Sequence, residues 1–269
     1  MTLADYPLDE LVEKIDWTPF FQTWELAGHY PAIMKDPLVG ETARTLLADA
    51  QELLSRIVRD RRLQAKAAFG FWPCNAVDET IEVYSDATRE TVLATLTMPR
   101  QLMDKRGTGR PNYCLADYVA PKDSGILDYI GAFAVTSGHG LESLVAEFDA
   151  DHDDYGSILA KALADRLAEA FAERLHERVR REFWGYAPHE SLGNAELIKE
   201  KYQGIRPAPG YPACPEHRAK GPLFALTGAV DRAGMQLTES YAMMPGASVS
   251  GWYFWRPESR YFGVGTLGG

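Results

Sequence analysis

Between Gly204 and Pro215 the chain reads GIRPAPGYPACP, a run that places one guanidinium and one phenol among closely spaced prolines. Pro207, Pro209, Pro212 and Pro215 each fix φ at about −65° and remove a backbone donor, while Gly210 supplies a conformation that its neighbours resist. A run so constrained reads as stiff and extended. Stiffness would hold Arg206 and Tyr211 at a fixed separation, which suits a ligand with a carboxylate at one end and a flat or cationic group at the other. Spacing alone leaves open the plainer reading, a rigid surface connection with a packed tyrosine.

A second chemistry-bearing stretch follows Tyr155: SILAKALADRLAEAFAERLHERVRREFW, predicted as a helix of about 28 residues and about 40 Å. Leu159, Leu163, Leu167 and Phe171 fall on one face, with Asp165, Glu169 and His176 near the opposite side. Such a charged stripe is ordinarily solvated. Ala162, Ala168 and Ala172 flank it, however, and small side chains leave room for a ligand, which makes the stripe a candidate groove floor. Asp153, Asp154, Asp165 and Glu169 could also act as paired acids in a hydrolase. No Ser-His-Asp, Cys-His or phosphate-binding glycine motif is present.

These side chains need a scaffold, and the remaining sequence offers one of mixed type. Asp16 or Thr18 can cap a short aromatic-rich helix reaching Trp24, and GETARTLLADAQELLSRIV from Gly40 carries apolar residues at helical spacing. GFWPCN, TIEVYSD, TVLATLTM, NYCLADYVA and YIGAFAVTS are β-rich runs broken by Gly, Asp, Asn or Pro, and read as strands. AELIKEKY reads as a shorter helix, and SVSGWYFW and RYFGVG as closing strands. Helices and strands do not alternate regularly, which predicts the α+β class in one domain over residues 1–269.

A chain of 269 residues, 46% of them hydrophobic, can bury a substantial core. Its net charge of −10 argues against a nucleic-acid partner, because phosphate neutralisation needs clustered Lys and Arg. No stretch approaches the roughly 18 apolar residues of a membrane span and no basic leader precedes an apolar run, so a cytoplasmic protein without a membrane partner is expected. Cys74, Cys114 and Cys214 are odd in number and scattered, and the histidines lack zinc-protease spacing, so neither disulfides nor a bound metal is expected.

Taken in order, IDWTPFFQTWELAG, NYCLADYVAP, DYIGAFAVT, HDDY, KALADRLAEAFAERLHE, WGYAP, GIRPAPGYPACP, LTES and PGASVSGWYF resemble the activation domain of cobalamin-dependent methionine synthase over nearly the whole chain. The Arg-x-x-x-Gly-Tyr element of that family stands here as Arg206, Gly210 and Tyr211. The resemblance implies a C-shaped domain with a central twisted antiparallel sheet flanked by helices, and S-adenosyl-L-methionine in a shallow groove. It places Asp16, Glu169, Glu200, Arg206, Gly210, Tyr211, Tyr261 and Phe262 at that cofactor. Acidic groups suit its ammonium or sulfonium, Arg its carboxylate, and aromatic rings its adenine or positive sulfur.

The implied activity is the reductive methylation that reactivates cob(II)alamin in methionine biosynthesis. An electron from flavodoxin or a similar donor reduces the cobalt, which then takes the methyl group of S-adenosylmethionine. Cobalamin would be bound by a partner domain, so the isolated chain is not expected to make methionine. No side chain is assigned a catalytic role; positioning the methyl group is the task. Relatives continue beyond GVGTLGG, so the resemblance also implies a shortened C-terminus. The competing readings are a stand-alone corrinoid-protein activator, the hydrolase, and a docking module whose groove has lost its ligand. The joint presence of Asp16, Glu169, Arg206, Tyr211 and Tyr261 speaks against the last.

Overall fold

A computed structural model describes residues 1–103 and 109–265; the end of the GVGTLGG run, 266–269, lies outside the described residues. β1 (Thr2–Tyr6) leads through two short helices, α1 (Leu8–Val12) and α2 (Thr18–Thr23), to α3 (Gly40–Arg59). β2 (Gln64–Val77), β3 (Thr80–Tyr84) and β4 (Val92–Thr97) form a meander, followed by β5 (Asp128–His139), α4 (Leu141–Ala150) and α5 (Asp154–Arg178). Three short helices, α6 (Asn194–Leu197), α7 (Lys220–Thr227) and α8 (Ala229–Ala233), precede a small ribbon of β6 (Gln236–Leu237) and β7 (Met243–Met244), and β8 (Ser248–Tyr253) closes the sheet.

The main sheet runs β4-β3-β2-β5-β8 with every pairing antiparallel, the α+β arrangement that the sequence predicts. β2 serves two partners along one edge, β1 opposite residues 65–68 and β3 opposite residues 74–77, while β5 takes its other edge. Phe133 and Val135 of β5 enter a core built with α3 and α5; Ile130, Ala132 and Ala134 enter a second core built with α7 and α8. A sheet covered on both faces explains why IGAFAV is continuously apolar rather than alternating.

Asp16 accepts the Thr18 N–H at 2.9 Å, fixing the start of α2. α5 buries Leu159, Leu163, Leu167 and Phe171 as its period predicts, but it also buries Ala162, Ala168, Ala172 and His176 completely or nearly so. These alanines therefore do not flank a vacant groove floor; their small side chains let neighbouring elements approach the helix closely. Past Arg178 the helix widens into a π turn, Val179–Phe183, which places the Arg180 side chain wholly inside the protein.

Several expected elements take another form. NYCLADYVA is not a strand: the Cys114 N–H donates to Asp117 at 2.9 Å, Arg100 holds Asp117 at 2.8 Å, and Leu115–Tyr118 becomes a 3-10 turn. The aspartate competes with the sheet ladder for the backbone. RYFGVG is irregular because its backbone bonds loops, with Val264 N–H reaching the Pro212 carbonyl at 2.9 Å and Gln101 Nε2 donating to the Gly263 carbonyl at 2.6 Å. The helix expected over AELIKEKY shortens to α6, and β1 forms where no strand was expected.

Candidate functional site

The proline-rich run joins the sheet at its beginning. Ile205 and Phe254 exchange backbone bonds of 2.9 and 3.0 Å, and the Trp252 N–H donates to the Pro207 carbonyl at 2.9 Å. Beyond Pro207 the run is not extended, contrary to the sequence reading. The Gly210 N–H reaches the Cys214 carbonyl at 2.7 Å, the Tyr211 N–H the Ala208 carbonyl at 3.1 Å, and the Cys214 N–H the Tyr211 carbonyl at 2.9 Å. Prolines here set turns instead of lengthening the chain. Gly210 has φ +98°, and a Cβ at that position would meet His217 Cε1 at 2.4 Å, so glycine is required for both conformation and space. The turn thrusts the Tyr211 ring outward, 60% exposed.

Under this loop lies an open groove of about 510 Å³, walled by Glu169 of α5, Phe133 of β5, Val249 of β8, Glu200, and the segment Tyr261, Phe262 and Gly263. Glu169, Glu200, Arg206, Tyr211, Tyr261 and Phe262 therefore converge from positions spread over almost 100 residues. Gly210 shapes the turn beneath Tyr211 without lining the wall, and Asp16 sits in the connection between α1 and α2, outside the groove lining. Phe133 and Val249 contribute apolar wall that sequence reasoning missed, because nothing distinguishes them from ordinary strand core residues.

Arg206 is the most heavily bonded member. Its Nη2 donates to Glu173 at 2.8 Å, its Nη1 to Tyr202 Oη at 2.9 Å and to His176 Nδ1 at 3.1 Å, and its backbone N–H to Tyr261 Oη at 2.9 Å. A guanidinium carries five N–H donors, so Nε–H and one Nη2–H are left without a recorded partner among the described residues. His176, expected on a solvated face, is fully buried; burial and the cations of Arg180 and Arg206 hold its pKa well below the usual range. The neutral ring accepts at Nδ1 and so keeps its proton on Nε2, 3.4 Å from Tyr186 Oη.

The acidic wall is equally tuned. Burial raises the Glu200 carboxyl above its ordinary range, with Glu173 adding to the effect and Arg206 opposing it. The negative charge of Glu169, which lines the same groove, is the main cause of a raised Tyr211 phenol, with burial adding to it. Of the acids considered for hydrolysis, only Glu169 lines the groove; Asp153 accepts the Gly156 N–H at 2.8 Å and starts α5. Among the described residues, none that lines the groove is Ser, Thr, Cys or His, and no group of His, Cys, Asp and Glu able to hold a metal occurs. No described helix is long and apolar enough to cross a membrane.

An α+β domain whose open groove is lined by two carboxylates, a guanidinium and aromatic rings has the side chains that suit a small zwitterion with a flat group. Comparison with known proteins narrows the class. The family described as vitamin B12 dependent methionine synthase, activation domain, matches residues 7–269. A solved structure, the MetH reactivation domain bound to AdoHcy, is 53% identical with a TM-score of 0.95, over 99% of this chain and 81% of that one. The chain belongs to the family of vitamin B12-dependent methionine synthase activation domains.

Proposed function

We propose that the groove binds S-adenosylmethionine and presents its methyl group for the reductive methylation of cob(II)alamin held by a partner domain of methionine synthase. The observation that carries this reading is the convergence of Glu169, Glu200, Arg206, Tyr211, Tyr261 and Phe262 on one open groove, in a member of this family. The AdoHcy bound by the similar MetH domain is the demethylated form of the proposed ligand, which supports it further.

When bound, the ligand supplies an electrophilic sulfonium methyl; the residues supply position. Arg206 Nε–H and its remaining Nη2–H suit the ligand carboxylate, Glu169 and Glu200 suit its ammonium or sulfonium, and Tyr211, Tyr261 and Phe262 offer ring faces for adenine. Asp16 is included on family resemblance alone, and Gly210 as the residue that lets Tyr211 project. The groove stays open on one side, so a bulky corrinoid carrier can approach the methyl group. A cobalamin-binding domain, an electron donor of flavodoxin type and a cytoplasmic setting complete the proposal. The stand-alone activator gains no support from the comparisons.

Calorimetric titration of the purified chain with S-adenosylmethionine and S-adenosylhomocysteine tests the proposal. Saturable binding is expected, weakened by roughly 0.5–2 kcal/mol in Tyr211→Ala, which removes an exposed ring that supports no core. A well-folded chain that binds neither ligand would sink the proposal.

A further inference from the structure

Behind the groove lies a buried polar cluster that is hydrogen-bonded to the groove residues Arg206 and Tyr261. Glu173 and Tyr202 are each 8% exposed, and neither lines the groove. Glu173 takes one Nη2–H of Arg206 at 2.8 Å; Tyr202 Oη accepts from Nη1 at 2.9 Å and lies 3.2 Å from Tyr261 Oη. The Tyr202 ring also carries two cations, with the Arg180 guanidinium 4.3 Å and that of Arg206 5.5 Å from its centroid. Arg180 is held in turn by Glu190 at 2.7 Å and stands 4.0 Å from Glu173. His176 stacks on Tyr253 at 5.1 Å, and Tyr253 on the groove residue Phe133 at 4.7 Å.

The arrangement answers a problem that the groove creates for itself. A long arginine side chain that lines the same groove as Glu169 and Glu200 is drawn toward them, and a guanidinium paired with either would be lost to an incoming carboxylate. Glu173 and Tyr202 engage Nη2 and Nη1 from the protein side and leave Nε–H with the second Nη2–H, donors that can form the side fork matching a carboxylate. We propose that Glu173 and Tyr202 are positioning residues that hold Arg206 in the orientation that receives the carboxylate of the ligand. This rests on the S-adenosylmethionine reading of the groove and deepens it, since it assigns the buried cluster to recognition of one end of the ligand.

The test compares S-adenosylmethionine with decarboxylated S-adenosylmethionine, which keeps the sulfonium, amine and adenine but lacks the carboxylate. Calorimetric affinities are measured for the whole chain as wild type, Glu173→Gln and Tyr202→Phe; the second variant keeps its ring and carries the test if the first does not fold. Wild type should prefer the carboxylated ligand by about tenfold or more, the scale of one charge-assisted pair. Each variant should lose about that factor for S-adenosylmethionine while binding the decarboxylated ligand as wild type does. A preference that survives in Tyr202→Phe, or an equal loss for both ligands, overturns the positioning role. A wild type that binds both ligands equally well overturns it while leaving the groove reading intact, and a wild type that binds neither removes both.

Discussion

Burial holds the Glu200 carboxyl above the ordinary carboxylate range, with the charge of Glu173 adding to the effect and Arg206 opposing it. A folded pKa above the unfolded value means that this residue favours the folded state at low pH, and that its contribution fades as pH rises through the raised value. A cationic ligand reverses the preference, because it stabilises the ionised form. Affinity for S-adenosylmethionine should therefore climb with pH through the range where Glu200 ionises, then level off. Titrations at stepped pH on wild type and Glu200→Gln check this, and the variant should show a flatter profile; an unchanged slope would assign the dependence to another group. At this scale the sequence disclosed much, since Arg206 and Tyr211 stand out by type and setting. It did not disclose that Arg206 is already engaged by Glu173, a partner 33 positions earlier in the chain.

The elements that aim these residues are two neighbouring strands, a long helix and one folded loop. Gly251 of β8 marks a close approach between strand and loop: a Cβ there would meet Phe133 Cε1 at 2.8 Å and the Pro207 carbonyl at 2.9 Å. Both obstacles belong to groove-lining residues, so Gly251→Ala should lower the unfolding free energy by about 1–3 kcal/mol and also weaken ligand binding. Leu163→Ala, on the fully buried face of α5, should cost about 2–5 kcal/mol with far less effect on affinity per kcal/mol lost. Urea unfolding paired with calorimetry separates the two. Helical period made α3 and α5 legible, and the apolar run made β5 legible. The turn at Leu115–Tyr118 was hidden because it depends on Asp117 and its distant partner Arg100, not on the β-rich residues around it.

Across the whole molecule, Asp128 ties the beginning of β5 to the chain's closing segment. Burial alone would raise its carboxyl, but Trp255 Nε1–H at 2.9 Å, Arg256 at 2.7 Å and the amides of Tyr129 and Ala120 at 2.8 and 2.9 Å hold it below the usual range. A depressed folded pKa gives stability that is present above the unfolded value, about 3.9, and is lost as pH falls through the folded one. Thermal unfolding should thus show a steep acid limb that Asp128→Asn makes shallower, along with lower stability at neutral pH; equal acid limbs in both proteins would contradict this. The sequence by itself determined the α+β class and drew attention to Arg206 and Tyr211, because composition, periodicity and local motifs are properties of neighbours along the chain, while its resemblance to the family pointed to Glu169, Glu200, Tyr261 and Phe262. Tertiary structure alone decided that Phe133 and Val249 form its wall, that the alanines of α5 are packed rather than vacant, and that Glu173 and Tyr202 brace Arg206. Period fixes which face a residue occupies, but only the packed fold brings another element against that face.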